Sequence, residues 1–327
     1  MKWCIRTTLV VCFCAVVCLG AAATRPATAG DYPNRTIKIV VPAPPGPLLD
    51  VIPRIVGEKL SAKWGVPVII ENRPGAAQNL GAEAVAKSEP DGYTLLASPP
   101  GPLAVSQHLH SKLNFDPAAF VKVSVMVRLP TVLVVNPKLP VANLEDLLAF
   151  ARANPNKLNF GSPGVGSTPH LATEQLMKVA GIRLTHVPYQ GMTPAMNDLI
   201  GGHIDLMIDL FGNASQYIGD GKLKLLAVTA QKRMPELPDV PAISEVLPGY
   251  SHQEWFAIVA PPNTPAAIAT KLSAAISEIL RLPDVAKRLT EFAAEPVGNT
   301  PAEATAFVEA ESKRWREVID LAGIKID

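Results

Sequence analysis

Eight short runs rich in β-branched residues recur along the chain, each closed by turn residues: Ile37 to Pro42, Val66 to Asn72, Tyr93 to Ser98, Val132 to Val135, Leu158 to Ser162, Thr185 to Tyr189, Ile204 to Leu210 and Leu223 to Ala230. Their nearly continuous apolar character suits strands covered on both faces rather than strands with one wet face. Stretches with apolar residues at helical spacing separate them. The order is therefore β-α-β-α, and the expected fold class is α/β with largely parallel sheets. Trp255 and Phe256 open one further strand-like run.

Helix starts are marked by cap chemistry. Thr264-Pro265 precedes an apolar stripe of Ile268, Leu272, Ile276 and Ile279. Thr300-Pro301-Ala302-Glu303 has the form of a capping box, with Val308, Trp315 and Ile319 on one face of the helix that follows. Asn143, with Asp146 three residues on, begins another helix that should end near Asn154-Pro155. These stripes read as core.

The first thirty residues do not belong to that pattern. Lys2 and Arg6 form a basic start, Thr8 to Gly20 is an apolar run, and Ala21-Ala22-Ala23 or Ala27-Thr28-Ala29 offers an A-x-A cleavage site. The run is too short for a bilayer, which takes roughly 20 apolar residues. Residues 1–29 are therefore expected to be a signal peptide and the mature protein exported. All four cysteines, Cys4, Cys12, Cys14 and Cys18, fall inside the segment, so the mature chain is expected to have no disulfide, zinc-thiolate site or cysteine nucleophile. Removing Lys2, Arg6 and Arg25 from 30 basic residues leaves 27 against 29 acidic ones, a balance that does not suggest a nucleic-acid partner.

Ligands of open α/β sheets bind beyond the carboxyl ends of strands, where loops lead into helix starts. Two loops have that form. In Val41 to Asp50, Pro44, Pro45 and Pro47 stiffen the turn, and Gly46 and the opening of a helix near Leu48 supply the N–H groups. In the second, Asn159 to Leu176, a strand leads into Gly161-Ser162-Pro163-Gly164-Val165-Gly166-Ser167-Thr168, with Pro169 in the first helical turn and Gly181 at the helix end. Small residues let several N–H groups share one space, and Ser162, Ser167 and Thr168 add hydroxyls near a helix N-terminus, which suits an anion without requiring a lysine or arginine. The stretch is one residue short of a P-loop: Ser167 stands where the phosphate-binding lysine would be, so nucleotide chemistry is not expected. No G-x-S-x-G elbow is present, and a Ser162, His170 and Asp205 triad could be assembled only by free choice. His108 and His110 are spaced H-x-H, with no further ligand at a recognisable spacing, so no metal is expected.

Seven stretches in one order resemble the substrate-binding receptors of tripartite tricarboxylate transporters, the Bug family: YPNRTIKIVVPAPPG, ENRPGA, EPDGYTLL, NFGSPGVGSTPHLATEQL, HVPYQGMTPAMNDLIGGHID, GKLKLLAVTAQKR with LPDVPAISE, and WREVIDLAGIKID. The resemblance implies a type II periplasmic binding protein, with two α/β domains and a ligand cleft between them. Domain 1 would comprise 30–131 plus 252–327, and domain 2 would comprise 132–251. It implies no enzyme activity and no cofactor. The partners implied are a small organic acid, a dicarboxylate or aromatic acid among them, and the membrane permease subunits of a tripartite transporter, with the receptor a monomer. Carried over residue by residue, the ligand-binding positions are Pro44, Pro45 and Gly46 in the first loop, Ser162, Gly164, Gly166, Ser167 and Thr168 in the second, and Tyr189, Gln190 and Gly191. Ser98 and Asp209 join them from their places at strand ends. The chain departs from the family at Ala43, where an aromatic residue is usual, at Pro47, where a second glycine is usual, and at Gln190, often a lysine. These departures lead to the expectation of a wider, less charged pocket suited to a bulky or aromatic acid. Two other outputs stay open in the sequence: presentation of a ligand to a sensor kinase, and hydrolysis on a similar secreted α/β frame.

Overall fold

The computed structural model describes residues 32–234 and 237–323; the expected signal peptide lies outside them. The strands are β1 (Ile37–Val41), β2 (Val68–Asn72), β3 (Thr94–Ser98), β4 (Val121–Leu129), β5 (Thr131–Val135), β6 (Asn159–Ser162), β7 (Thr185–Pro188), β8 (Leu206–Leu210), β9 (Lys224–Val228), β10 (Glu254–Ala260) and β11 (Glu295–Pro296). They form a six-stranded sheet in the order β11-β4-β10-β3-β1-β2 and a five-stranded sheet in the order β7-β6-β8-β5-β9. Every apolar run singled out in the sequence overlaps one of these strands. From Pro33 onward the chain forms one compact unit.

The expectation of largely parallel sheets is corrected. β1 pairs in parallel with β2 and β3, and β6 with β7 and β8. The pairs β3–β10, β10–β4, β4–β11, β5–β8 and β5–β9 are antiparallel. The reason lies in how the chain changes sheets. It passes from β4 to β5 through Pro130 alone and returns between β9 and β10. A strand arriving from the other sheet enters at the end where the β-α strands leave, so it runs against them. The two crossings are tied together: Thr229 N–H donates to Thr131 O (3.0 Å) and His252 N–H to Thr229 O (2.8 Å), and the hydroxyls of Thr131 and Thr229 are in contact.

Strand β5 shows why these runs are apolar throughout. Leu133 and Val135 enter one core with Leu147, Phe160, Leu176 and Ile208, while Val132 and Val134 enter another with Leu199, Met207 and Val228. Successive side chains point to opposite faces, so a strand with helices on both sides needs an apolar residue at each position. The larger sheet builds its own core from Val40, Leu96, Val125, Val259, Val308 and Trp315.

The cap chemistry positions the helices. Asn143 accepts from Asp146 N–H (2.8 Å) at the start of helix Leu144–Ala153. Thr300 and Glu303 form the reciprocal box at helix Pro301–Ala322, Thr300 N–H donating to Glu303 Oε2 at 2.9 Å. Thr264 instead turns its hydroxyl back to Pro261 O (2.8 Å), and helix Ala266–Leu280 begins without a side-chain cap. The glycine-rich loop opens helix Thr168–Ala180, which Gly181 ends in the left-handed conformation (φ 63°).

Candidate functional site

A cavity of about 540 Å³ lies where the loops leading out of β1, β2, β6, β7 and β8 meet. Pro44, Gly164, Thr168, Tyr189, Gln190, Gly191 and Asp209 line it; Pro45, Gly46, Ser98, Ser162, Gly166 and Ser167 do not. Ala43 and Pro47, two of the three departures from the family pattern, line it together with Gln190.

Loop one is fixed by a carboxylate beneath it. Asp50, 3% exposed, accepts from Gly46 N–H (3.0 Å), Arg54 Nε (2.9 Å) and Asn72 Nδ2 (2.8 Å), and Asn72 also donates to Ala43 O (2.9 Å). Burial alone would raise the Asp50 pKa, but the hydrogen bonds from Arg54, Asn72 and Gly46 hold it below the ordinary carboxylate value. The donor of Gly46 is thereby engaged inside the loop.

The glycine-rich loop is internally bonded as well. Gly164 N–H donates to Ser162 Oγ (3.2 Å), Ser167 N–H and Ser167 Oγ both donate to Gly164 O (3.2 and 2.7 Å), and Gly166 N–H donates to His170 Nδ1 (3.2 Å). His170 can accept that bond only while Nδ1 is unprotonated, and burial with the neighbouring His186 pushes its pKa down to about 3. His186, lowered to about 4 by burial, stacks on Phe160 and packs at a tilt against His170, with ring centroids 4.7 and 4.1 Å away. Ser162 Oγ lies 2.7 Å from His186 Nε2, is fully buried, and is absent from the cavity wall, so this serine–histidine pair presents no nucleophile to a ligand. Asp205, the third member of the triad considered from sequence, accepts from Asn159 N–H instead (2.7 Å).

The remaining contributions come from both sheets. Tyr189 gives its hydroxyl to Asp198 (2.7 Å), and burial together with that carboxylate pushes its pKa up to about 12, so it presents its ring. Gly191 has φ 139°, and a Cβ there would stand 3.0 Å from Pro44 Cγ; the β7 loop thus closes against loop one. Gly75, Ala76, Ala77 and Gln78 all have positive φ (126°, 48°, 47° and 78°), a strained path for three non-glycine residues, and all four line the cavity.

The sequence reading missed the cavity's acidic side. Glu254, which opens β10, lines the cavity beside Asp209, Thr131, Asn213 and Phe256. Asn213 spans the two sheets, accepting from Leu48 N–H (3.1 Å) and donating to Asp209 Oδ1 (3.0 Å). Burial pushes the Asp209 pKa up to about 7 against the hydrogen bonds from Asn213 and Leu210, with the Glu254 charge adding to the rise. Glu254 carried one signal in the sequence: a carboxylate at the head of an otherwise apolar strand. Lys112 is the only lysine or arginine among the described residues lining the cavity, and it is solvent-exposed. Of the H-x-H pair, His108 is turned to Ser312 Oγ (2.8 Å), whereas His110 lines the cavity.

The sequence profile of the tripartite tricarboxylate transporter family receptor matches residues 52–324. Protein BugT of Bordetella pertussis is 35% identical over 309 residues, 94% of this chain and 95% of its own. A solved structure titled R. palustris Rpa4515 with adipate is 37% identical with a TM-score of 0.87, over 90% of this chain and 99% of the other. MatC (Rpa3494) from Rhodopseudomonas palustris with bound malate is 32% identical with a TM-score of 0.83, over 88% and 100%.

Proposed function

Because the chain belongs to the tripartite tricarboxylate transporter receptor family, we propose that it captures a small organic carboxylate outside the cytoplasm and delivers it to membrane permease subunits. It would act as a monomer, exported by residues 1–29, with one lobe of residues 30–131 plus 252–327 and the other of 132–251. The observation that supports this reading most directly is the cavity itself. It is lined by loops from both sheets at the carboxyl ends of β1, β6, β7 and β8, the position expected for a ligand in α/β sheets. The relatives with adipate and with malate make a carboxylate the first ligand class to test.

The carboxylate is held by different donors from those the glycine-rich loop suggests. Ser162, Gly164, Gly166 and Ser167 shape that loop by bonding one another and His170. Among the described residues, the N–H groups of Ala43, Gln190 and Gly191 have no internal acceptor, and Gly191 packs on Pro44 beside Ala43. Ala43 belongs to loop one and Gln190 and Gly191 to the β7 loop, so a ligand held by all three would tie the two loops together. The apolar wall, with Pro42, Leu49, Pro74, Phe115 and Phe256, takes the body of a bulky or aromatic acid. The buried Ser162 is not available as the nucleophile of the hydrolase reading.

Denaturing protein purified from its native host and identifying the released small molecule by mass spectrometry tests the proposal, followed by titration of that molecule back onto refolded protein. Recovery of an intact carboxylate that raises stability by about 2.7 kcal/mol at 100 times its dissociation constant is expected. Release of no acid, with no stabilisation by a broad panel of acids, would refute it.

A further inference from the structure

Helix Leu48–Trp64 begins without a cap of its own. Pro47 stands at the N-cap position, where a serine, asparagine or aspartate would turn its side chain back to the first N–H groups, and it makes no such bond. The missing acceptor comes from the other sheet, 165 residues away in the chain: Leu48 N–H donates to Asn213 Oδ1 at 3.1 Å. Asn213 lies in the first turn of helix Phe211–Gly219, directly after β8, and lines the cavity. Its amide can face only one way. Nδ2 donates to the Asp209 carboxyl (3.0 Å), which also accepts from Leu210 N–H, and the Leu48 N–H requires the oxygen. Both ends of the amide are therefore engaged inside the protein.

Gly212, beside it, lets the two surfaces meet. A Cβ on Gly212 would stand 2.7 Å from Leu48 Cδ1, 2.9 Å from Phe292 O and 3.2 Å from Phe292 Cα. The leucine methyl could swing aside, but the Phe292 backbone ends helix Pro283–Glu291 and moves only with it. The backbone of Gly212 is not left-handed, so its conformation does not call for glycine, and alanine would suit the interior of a helix better. What requires glycine is the close approach of elements from different sheets: Leu48 follows β1 and Phe292 precedes β11, whereas Gly212 follows β8. Leu48 also follows loop one, which Asp50 and Asn72 hold from beneath. Loop one is thus moored to both sheets. We propose that Gly212 and Asn213 are positioning residues for ligand capture: by docking the start of their helix on Leu48 and Phe292, they set the spacing at which loop one and the β7 loop can share one ligand. This assignment rests on the receptor function above and concerns the frame of the cavity.

Calorimetry with adipate, malate and 4-methylbenzoate, urea unfolding, and small-angle X-ray scattering of the ligand-free protein test it on the unsubstituted chain, Gly212→Ala, Asn213→Ala and the double variant. Gly212→Ala should weaken the tightest-binding probe about tenfold or more, enlarge the ligand-free radius of gyration and leave the urea midpoint unchanged or higher. Asn213→Ala should weaken the same probe about fivefold, as loss of one hydrogen bond would give. The double variant should lose no more than the weaker-binding single one, because both substitutions act through one contact. If one variant does not fold, the other carries the comparison. A purely structural role gives the opposite split, a lower urea midpoint with affinity kept within about threefold. That result, or affinities within about threefold and an unchanged radius of gyration in both single variants, overturns the inference and leaves the receptor reading standing. If the unsubstituted protein binds none of the probes and no member of a broad acid panel, the receptor reading falls. Scattering then decides the docking alone, and an unchanged radius of gyration in Gly212→Ala overturns it.

Discussion

Replacing Asp209 by asparagine should make the ligand-free protein more stable at neutral pH. Asparagine keeps an oxygen for Leu210 N–H (2.6 Å) and Asn213 Nδ2 (3.0 Å), so the substitution removes charge with little change in shape. Burial moves the carboxyl from 3.8 to about 7. Between those values the folded chain retains a proton that the unfolded chain has released, so stability falls as pH rises through this window and is level above about 7. At about 1.4 kcal/mol per pKa unit, three units set an upper bound of about 4 kcal/mol, reduced by water entering the cavity and by local relaxation. For a chain of this size the bound corresponds to a melting shift of roughly 6 to 7 °C. Urea unfolding of both proteins at pH 4.5, 6 and 7.5 reads the difference. The variant should gain most at pH 7.5, with the gap closing toward pH 4. A gap that does not change with pH, or a variant less stable at pH 7.5, would refute the assignment of a strained, charged Asp209.

Two further predictions follow from the same geometry. In the Asp209→Asn background, acid should destabilise the fold from about pH 6.5 downward, because His170 and His186 refuse protons that the unfolded chain accepts. Adding His186→Asn should make that slope shallower in unfolding experiments, and equal slopes would remove His186 from the account. Gly191→Ala introduces a Cβ 3.0 Å from Pro44 Cγ at a φ of 139°, a strain of about 1 to 3 kcal/mol. It should weaken acid binding about tenfold or more by holding the loops apart. Unchanged calorimetric affinity would show that the Gly191–Pro44 contact is not part of the bound state.

Much of the fold was legible because its signals are local. A strand with helices on both faces must be apolar at each position, as Val132 to Val135 is, and Thr300 with Glu303 fixes a helix start within four residues. Strand β4 was missed because Lys122, Ser124 and Arg128 interrupt its apolar pattern. Lys122 is nevertheless buried, its ammonium donating to Pro117 O and Ala118 O at 2.9 Å each, an arrangement invisible in a hydropathy pattern. Strand direction was misread for a related reason. Antiparallel pairing follows from where the chain crosses between sheets, and Pro130 alone does not announce a crossing.

The site was harder to read, because sequence shows which donors and acceptors exist but not which of them are already engaged. Gly164, Gly166 and Ser167 are adjacent in the chain and look like an anion cradle, yet their N–H groups close on Ser162, His170 and Gly164. The acid beside the Thr168 helix start comes from 86 residues away. A glycine-rich turn before a helix therefore specifies a shape and a local potential, and the residue placed opposite decides whether that potential is left for a ligand. With Glu254 bonded to Thr168 there, and Asp209 also in the lining, the helix start already holds a carboxylate of the protein's own.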